Sequence, residues 1–316
     1  MNFILNMLRI RRVEFRIAEL PIFIMPVLLN LRSPAPLKTA PFWEGITLLL
    51  FLFAFGDIIN CLADRDLDAT YKPHLSRAVY ELGVPFVALQ VVLSALAALA
   101  LSVHIAWRLD RWVLPPLVMA GLILGAAYSV PPIRLKGRGL AQIPCLWFII
   151  FVGPMIFAAL LIQPTLAPTV FAFALAYGTL QMGVILVNTA EDYPEDKAAG
   201  VQTSIVALGL RGGIQTAFFL ALTGSLAVLS TYIILFTQRL VPVVSWSILL
   251  LPACSYFYVS CSIGKLAAAV ARVDVNQGTL LVKQAAKQVP IWITMVAWTS
   301  CAATFALYLA TIRMAH

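Results

Sequence analysis

Charge is what this chain has least of. Only 11% of its 316 residues are Asp, Glu, Lys or Arg, while 61% are hydrophobic and the mean hydropathy is +0.93. Soluble proteins are about one-quarter charged, so an ordinary soluble fold is excluded and an all-α, polytopic membrane protein is expected. Histidine is scarce, with only His74, His104 and His316, and no His/Cys cluster supports a zinc or haem centre. The five cysteines (Cys61, Cys145, Cys254, Cys261, Cys301) are scattered through apolar stretches without metal-ligand spacing. They read as small core residues, with neither a disulfide nor a metal assigned. Acidic residues number 14 against 22 basic ones, a net charge of +8. In a membrane chain that excess marks basic loops meeting anionic headgroups, and no nucleic-acid partner is inferred. The first 16 residues are basic, but no small-residue cleavage site follows an apolar core, so no cleaved signal peptide is expected.

What the chain does have is long apolar runs. A span needs roughly 20 mainly apolar residues, and hydropathy predicts nine, at 15–31, 41–63, 84–106, 112–129, 141–163, 168–190, 213–236, 244–264 and 288–312. They are read as one membrane-embedded domain over 1–316. Nine crossings put 16 of the 22 basic residues on the side of the amino terminus, which the positive-inside rule makes cytoplasmic. The longer connections, 69–83, 197–212 and 265–287, lie on that side too. Function is therefore expected there, with those loops as candidate lids.

Two acidic stretches interrupt the apolar background. One runs Asn60-Cys61-Leu62-Ala63-Asp64-Arg65-Asp66-Leu67-Asp68, the other Asn188-Thr189-Ala190-Glu191-Asp192-Tyr193-Pro194-Glu195-Asp196. Both read N-x-x-x-D-x-x-x-D, at an offset of 128 positions that suggests an internal duplication, and together they hold seven of the 14 carboxylates. Helical residues four apart share a face, about 6 Å along the axis. Each stretch thus presents a row of an amide and two carboxylates, self-repelling unless cations lie against it. Hard, oxygen-seeking divalent ions are the obvious partners, and two such rows facing each other would suit Mg²⁺ ions bridging a diphosphate. The competing reading, a solvated helix end, serves for one window and poorly for two alike on one side. Pro194 is expected to kink the second row or place its end on a loop.

Asp57 shares the face of Asn60 and Asp64 about 10 Å deeper. It either touches a substrate in a cavity or is an acid hydrogen-bonded to a neighbouring helix. A third stretch, Tyr128-Ser129-Val130-Pro131-Pro132-Ile133-Arg134-Leu135-Lys136-Gly137-Arg138-Gly139, ends a span with two prolines and then supplies three cations. Those cations either neutralise a diphosphate leaving group or are plain topogenic charge, and Lys72 and Arg77 stand as similar candidates. Aromatic residues in the spans would suit a polyisoprenoid tail and its allylic cation, although for any one of them packing or lipid contact serves equally.

These motifs together resemble the UbiA superfamily of intramembrane prenyltransferases. The resemblance rests on Asn60-x3-Asp64-x3-Asp68, on Tyr128-Ser129-x-Pro131-Pro132-x-Arg134-x-Lys136, and on Asn188-x3-Asp192-x3-Asp196-x3-Gly200-x2-Thr203. It implies nine transmembrane helices around a central cavity open to lipid, with the active-site mouth cytoplasmic. It implies that Asn60, Asp64, Asp68, Asn188, Asp192 and Asp196 bind the Mg²⁺–diphosphate of an isoprenyl donor. Lys72, Arg134 and Lys136 would contact phosphate, with Arg77 a further candidate, and Tyr128 and Ser129 would sit near the reacting carbon. The expected reaction ionises the donor and passes the prenyl group to a small hydrophobic acceptor, aromatic or a quinone precursor. Cys61 stands where many members carry Asp, and Tyr71-Lys72-Pro73-His74-Leu75-Ser76-Arg77 replaces their Arg-x-x-Arg-Pro-like run. The alternatives are a terpene cyclase of the same fold, needing no acceptor, and a cation transporter. Acidic rows confined to one side of the membrane argue against the transporter.

Overall fold

The computed structural model describes residues 2–314; His316 lies outside them. Among the described residues the chain is helical, without a β-strand. In chain order the helices are α1 (Asn2–Ile10), α2 (Arg16–Asn30), α3 (Ala40–Tyr71), α4 (Pro73–Leu82), α5 (Val84–Leu109), α6 (Leu114–Ser129) and α7 (Gln142–Leu146). There follow α8 (Gly153–Ile162), α9 (Pro168–Glu191), α10 (Tyr193–Ala198), α11 (Ser204–Gln238), α12 (Leu250–Arg272), α13 (Val275–Ala286) and α14 (Val289–Met314).

Seven helical segments among the described residues are long and apolar enough to cross a membrane: Ala40–Tyr71, Val84–Leu109, Gly139–Ile162, Pro168–Glu191, Ser204–Gln238, Val243–Arg272 and Val289–Ile312. The other two predicted spans fall on shorter helices, α2 with 15 residues and α6 with 16. In α2, Pro21 and Pro26 each remove a backbone donor. The chain is an integral, multi-pass membrane protein.

The chain divides into two compact units. The first comprises residues 1–16 and 35–136. Its axis is α3, against which α5, α6 and α4 pack. Thr39 with Pro41 starts α3, and Pro73 stops it one residue past Lys72. The segment 69–83, expected as a loop, is mostly the amphipathic helix α4, which buries Leu75, Ala78 and Val79. Gly83, at φ 90°, ends α4 where a side chain would strain the backbone, and α5 starts immediately after it. Helix α1 lies against α4, tied by the Asn6 amide donating to Glu81 at 2.7 Å.

The second unit comprises residues 17–34 and 137–316. Its core is the crossing of α9 and α11, where glycines let backbones touch. A Cβ on Gly183 would lie 2.4 Å from the Ala221 nitrogen, and one on Gly224 would lie 2.2 Å from that of Leu180. Around this crossing, α12 and α14 contribute buried hydroxyls. Tyr232 donates to the Ser300 carbonyl at 2.6 Å, and the Tyr256 and Ser300 hydroxyls are 2.6 Å apart. The span Gly139–Ile162 is irregular, with a π-helical turn over Trp147–Val152 followed by Pro154. Helix α13 fills part of the expected loop 265–287, and the Asp274 carboxylate caps it by accepting from the Asn276 and Gln277 amides at 2.8 and 2.9 Å.

Candidate active site

The first acidic row lies on unbroken helix. Because α3 continues to Tyr71, Asn60, Asp64 and Asp68 occupy successive turns of one face, as their spacing predicts. The row is not left to water. Ser129, buried at the end of α6, donates to the Asn60 Oδ1 at 3.2 Å. Beyond α6 the chain turns through Pro131 and Pro132 and returns to the row. Arg134 Nη2 donates to Asp64 Oδ1 at 3.2 Å, while Lys136 Nζ is paired with Asp64 Oδ2. Lys136 is 8% exposed and Asp64 9%, so this is a buried ion pair. Burial pulls the Lys136 ammonium below the ordinary lysine value, and Asp64 acts in the opposite direction. Arg134 holds φ 40°, rare for a residue with a side chain, and its buried Nε finds no acceptor.

The remaining candidates of this unit are spread around the row. Tyr128 is half-buried beside Ser129. Lys72 caps α3, its backbone amide donating to the Asp68 carbonyl at 2.8 Å, and Arg77 is exposed on α4. Asp57 is paired with Arg16, whose guanidinium also stands 5.5 Å from the centre of the Phe53 ring. Two partnerships here had no local sequence signal: Arg16 with Asp57, and Tyr80 donating to Asp66.

The second row is broken where Pro194 predicts. Asn188 is exposed on the last turn of α9, Asp192 sits at the junction and Asp196 lies on the short helix α10. The Asp196 amide donates to the Asp192 carbonyl at 2.8 Å, so one helical turn of α10 separates the two residues. Glu195 pairs with Lys283 of α13 at 2.6 Å, tying α10 to the connection 265–287. Gly200 takes φ 69°, and the Thr203 hydroxyl then caps α11 by accepting from the Val206 amide at 3.4 Å. Gln142 fixes that start, its Oε1 accepting from both the amide and the hydroxyl of Ser204 at 2.8 Å. Gln142 lies 62 positions before Ser204, a separation that no spacing rule flags.

Among the described residues no three His, Cys, Asp or Glu side chains converge on one point. The donors present are nonetheless those Mg²⁺ takes, amide and carboxylate oxygens. Beside Asp64, the buried Nε of Arg134 has no hydrogen-bond acceptor.

The chain belongs to the UbiA prenyltransferase family, whose model matches residues 20–274. It is 31% identical over 175 residues to the chloroplastic chlorophyll synthase of Arabidopsis thaliana, an alignment covering 50% of this chain and 41% of that one. It is 30% identical over 157 residues to the homogentisate phytyltransferase of Synechocystis sp., covering 48% and 49% respectively. The chain thus spans less than half the length of these relatives. Its fold matches a UbiA homolog from Archaeoglobus fulgidus bound to GPP and Mg²⁺, with TM-score 0.66 at 16% identity over 96% of this chain and 99% of that one.

Proposed function

We propose that this protein is a membrane prenyltransferase that ionises an isoprenyl diphosphate and transfers the prenyl group to a small hydrophobic acceptor. One observation carries the reading: the Asn60–Asp64–Asp68 face meets Ser129 at the end of α6, and Arg134 and Lys136 from the far side of the Pro131–Pro132 turn. Oxygen ligands and diphosphate-seeking cations are thereby gathered at the end of an apolar bundle. Relatives named for chlorophyll synthesis and for phytyl transfer to homogentisate support a long isoprenoid donor and an aromatic acceptor.

Asn60, Asp64 and Asp68 would hold Mg²⁺ in one row, and Asn188, Asp192 and Asp196 in the other. Bound Mg²⁺ supplies positive charge against the diphosphate leaving group. Arg134, Lys136 and Lys72 add fixed positive charge at the non-bridging oxygens, with Arg77 near enough in sequence to share the task. The bond between the allylic carbon and the diphosphate oxygen breaks, and its electron pair leaves with the diphosphate. An acceptor carbon or oxygen then attacks the allylic cation and loses a proton. Tyr128 and Ser129 would flank the reacting carbon. The bias of basic residues towards the side of the amino terminus supports a cytoplasmic mouth and amino terminus. The matched spacing of the rows, one in each compact unit, supports the duplication reading.

The test is an assay of the purified protein with labelled geranyl, farnesyl and geranylgeranyl diphosphates, with and without Mg²⁺, against phenolic and quinone-precursor acceptors. A prenylated acceptor formed only with Mg²⁺ is the expected result. A cyclic product formed without acceptor would replace transfer by cyclisation, and failure of every donor to bind would remove the reading.

A further inference from the structure

Resting on that reading, we propose that Lys136 and Arg134 are exchangeable counter-ions of the acidic row. Before loading they hold Asp64, and on loading they release it and turn to the diphosphate, so that metal and diphosphate bind cooperatively. Both oxygens of Asp64 are already engaged, Oδ1 by Arg134 at 3.2 Å and Oδ2 by Lys136. A divalent cation on those oxygens would stand against an ammonium and a guanidinium. Each oxygen keeps a second lone pair, but the repulsion among three cations favours moving the ammonium and the guanidinium away.

They cannot move to nowhere. Lys136 and Asp64 are each less than one-tenth exposed, and a buried cation stripped of its partner is strongly unfavourable. The diphosphate is the replacement anion that the site would itself bring in. Two features of Arg134 are consistent with a segment that takes a second position. Its backbone is left-handed, at φ 40°. Its buried Nε has no acceptor in the present arrangement, so a phosphate oxygen there would add a hydrogen bond that is now missing. In this scheme Lys136 is a positioning residue for Asp64 before loading and a phosphate ligand after it. Coupling of this kind is reciprocal: whatever diphosphate does for metal affinity, metal does for diphosphate affinity.

The experiment is calorimetric titration of the purified full chain with Mg²⁺ alone, and of the Mg²⁺-saturated chain with inorganic pyrophosphate. Wild type is compared with Lys136→Met, Lys136→Arg and Arg134→Gln, with melting temperature as a fold control. Lys136→Met is expected to tighten Mg²⁺ binding in the absence of pyrophosphate by about tenfold, and to weaken pyrophosphate binding by a similar factor, as loss of a coupling partner requires. Lys136→Arg keeps the charge and should restore the wild-type pattern. If Lys136→Met does not fold, Arg134→Gln carries the same expectation from the more exposed partner. Mg²⁺ affinity unchanged or weakened in a folded Lys136→Met or Arg134→Gln variant would overturn the exchange while leaving the metal reading intact. Wild type and variants all failing to bind Mg²⁺ would overturn both.

Discussion

Ser129 donates its hydroxyl to the Oδ1 of Asn60 at 3.2 Å, joining the last turn of α6 to the first residue of the acidic row. The contact orients the amide and occupies the oxygen that a metal would take. A single hydrogen bond of this kind contributes about 1 kcal/mol. Ser129→Ala is therefore expected to shift the Mg²⁺ dependence of turnover by several-fold, with little change in melting temperature. A Mg²⁺ profile identical to wild type would show that Asn60 does not depend on this contact.

Asp64 carries both charge compensation and the expected metal contact, and the two roles separate by mutation. Asp64→Asn and Asp192→Ala are each expected to reduce turnover below detection. Asp64→Asn also strands Lys136 as a buried charge, a loss of roughly 3 kcal/mol or more. Adding Lys136→Met to Asp64→Asn should recover the melting temperature but not the activity. Activity returning with stability would mean that Asp64 only holds the fold. Near-normal turnover in both single variants would remove the metal assignment.

The arrangement around Asp64 was partly legible from the residues alone, because helical spacing survives folding. Asn60, Asp64 and Asp68 share a face since α3 runs unbroken to Tyr71, and Pro194 breaks the second row since it cannot continue a helix. The apolar runs located seven long spans, yet α4 and α13 were hidden in stretches too polar to look like spans. Their amphipathic faces become meaningful only against the helices that cover them. The pairing of Lys136 with Asp64 was equally out of reach. A loop cation beside an acidic row read as diphosphate-binding suggests phosphate, and only tertiary structure shows which anion is nearest.

The α9–α11 crossing has no room for a side chain at its glycines. An added Cβ at Gly224 would lie 2.2 Å from the Leu180 nitrogen and 2.5 Å from its Cα, and backbone atoms do not yield as a flexible side chain would. Gly224→Ala and Gly183→Ala are each expected to cost about 1–3 kcal/mol or more through overpacking. Gly56→Ala, where nothing lies within 4 Å, serves as the control and should be near neutral. Thermal unfolding in one detergent distinguishes them, and equal melting temperatures for all three would contradict the close crossing.

Asp57 was open to two readings, substrate contact or structural acid, and its pairing with Arg16 favours the second. The side chains are 23% and 18% exposed, so solvent weakens the pair and a coupling of about 1 kcal/mol is expected. A double-mutant cycle with Asp57→Asn and Arg16→Gln isolates that coupling, because residues in direct contact are non-additive. The structural role predicts lower melting temperatures that are not additive, with KM for the donor within about twofold of wild type, since lost stability does not reach the bound state. A large rise in KM for Asp57→Asn, without a matching rise for Arg16→Gln, would return Asp57 to the substrate.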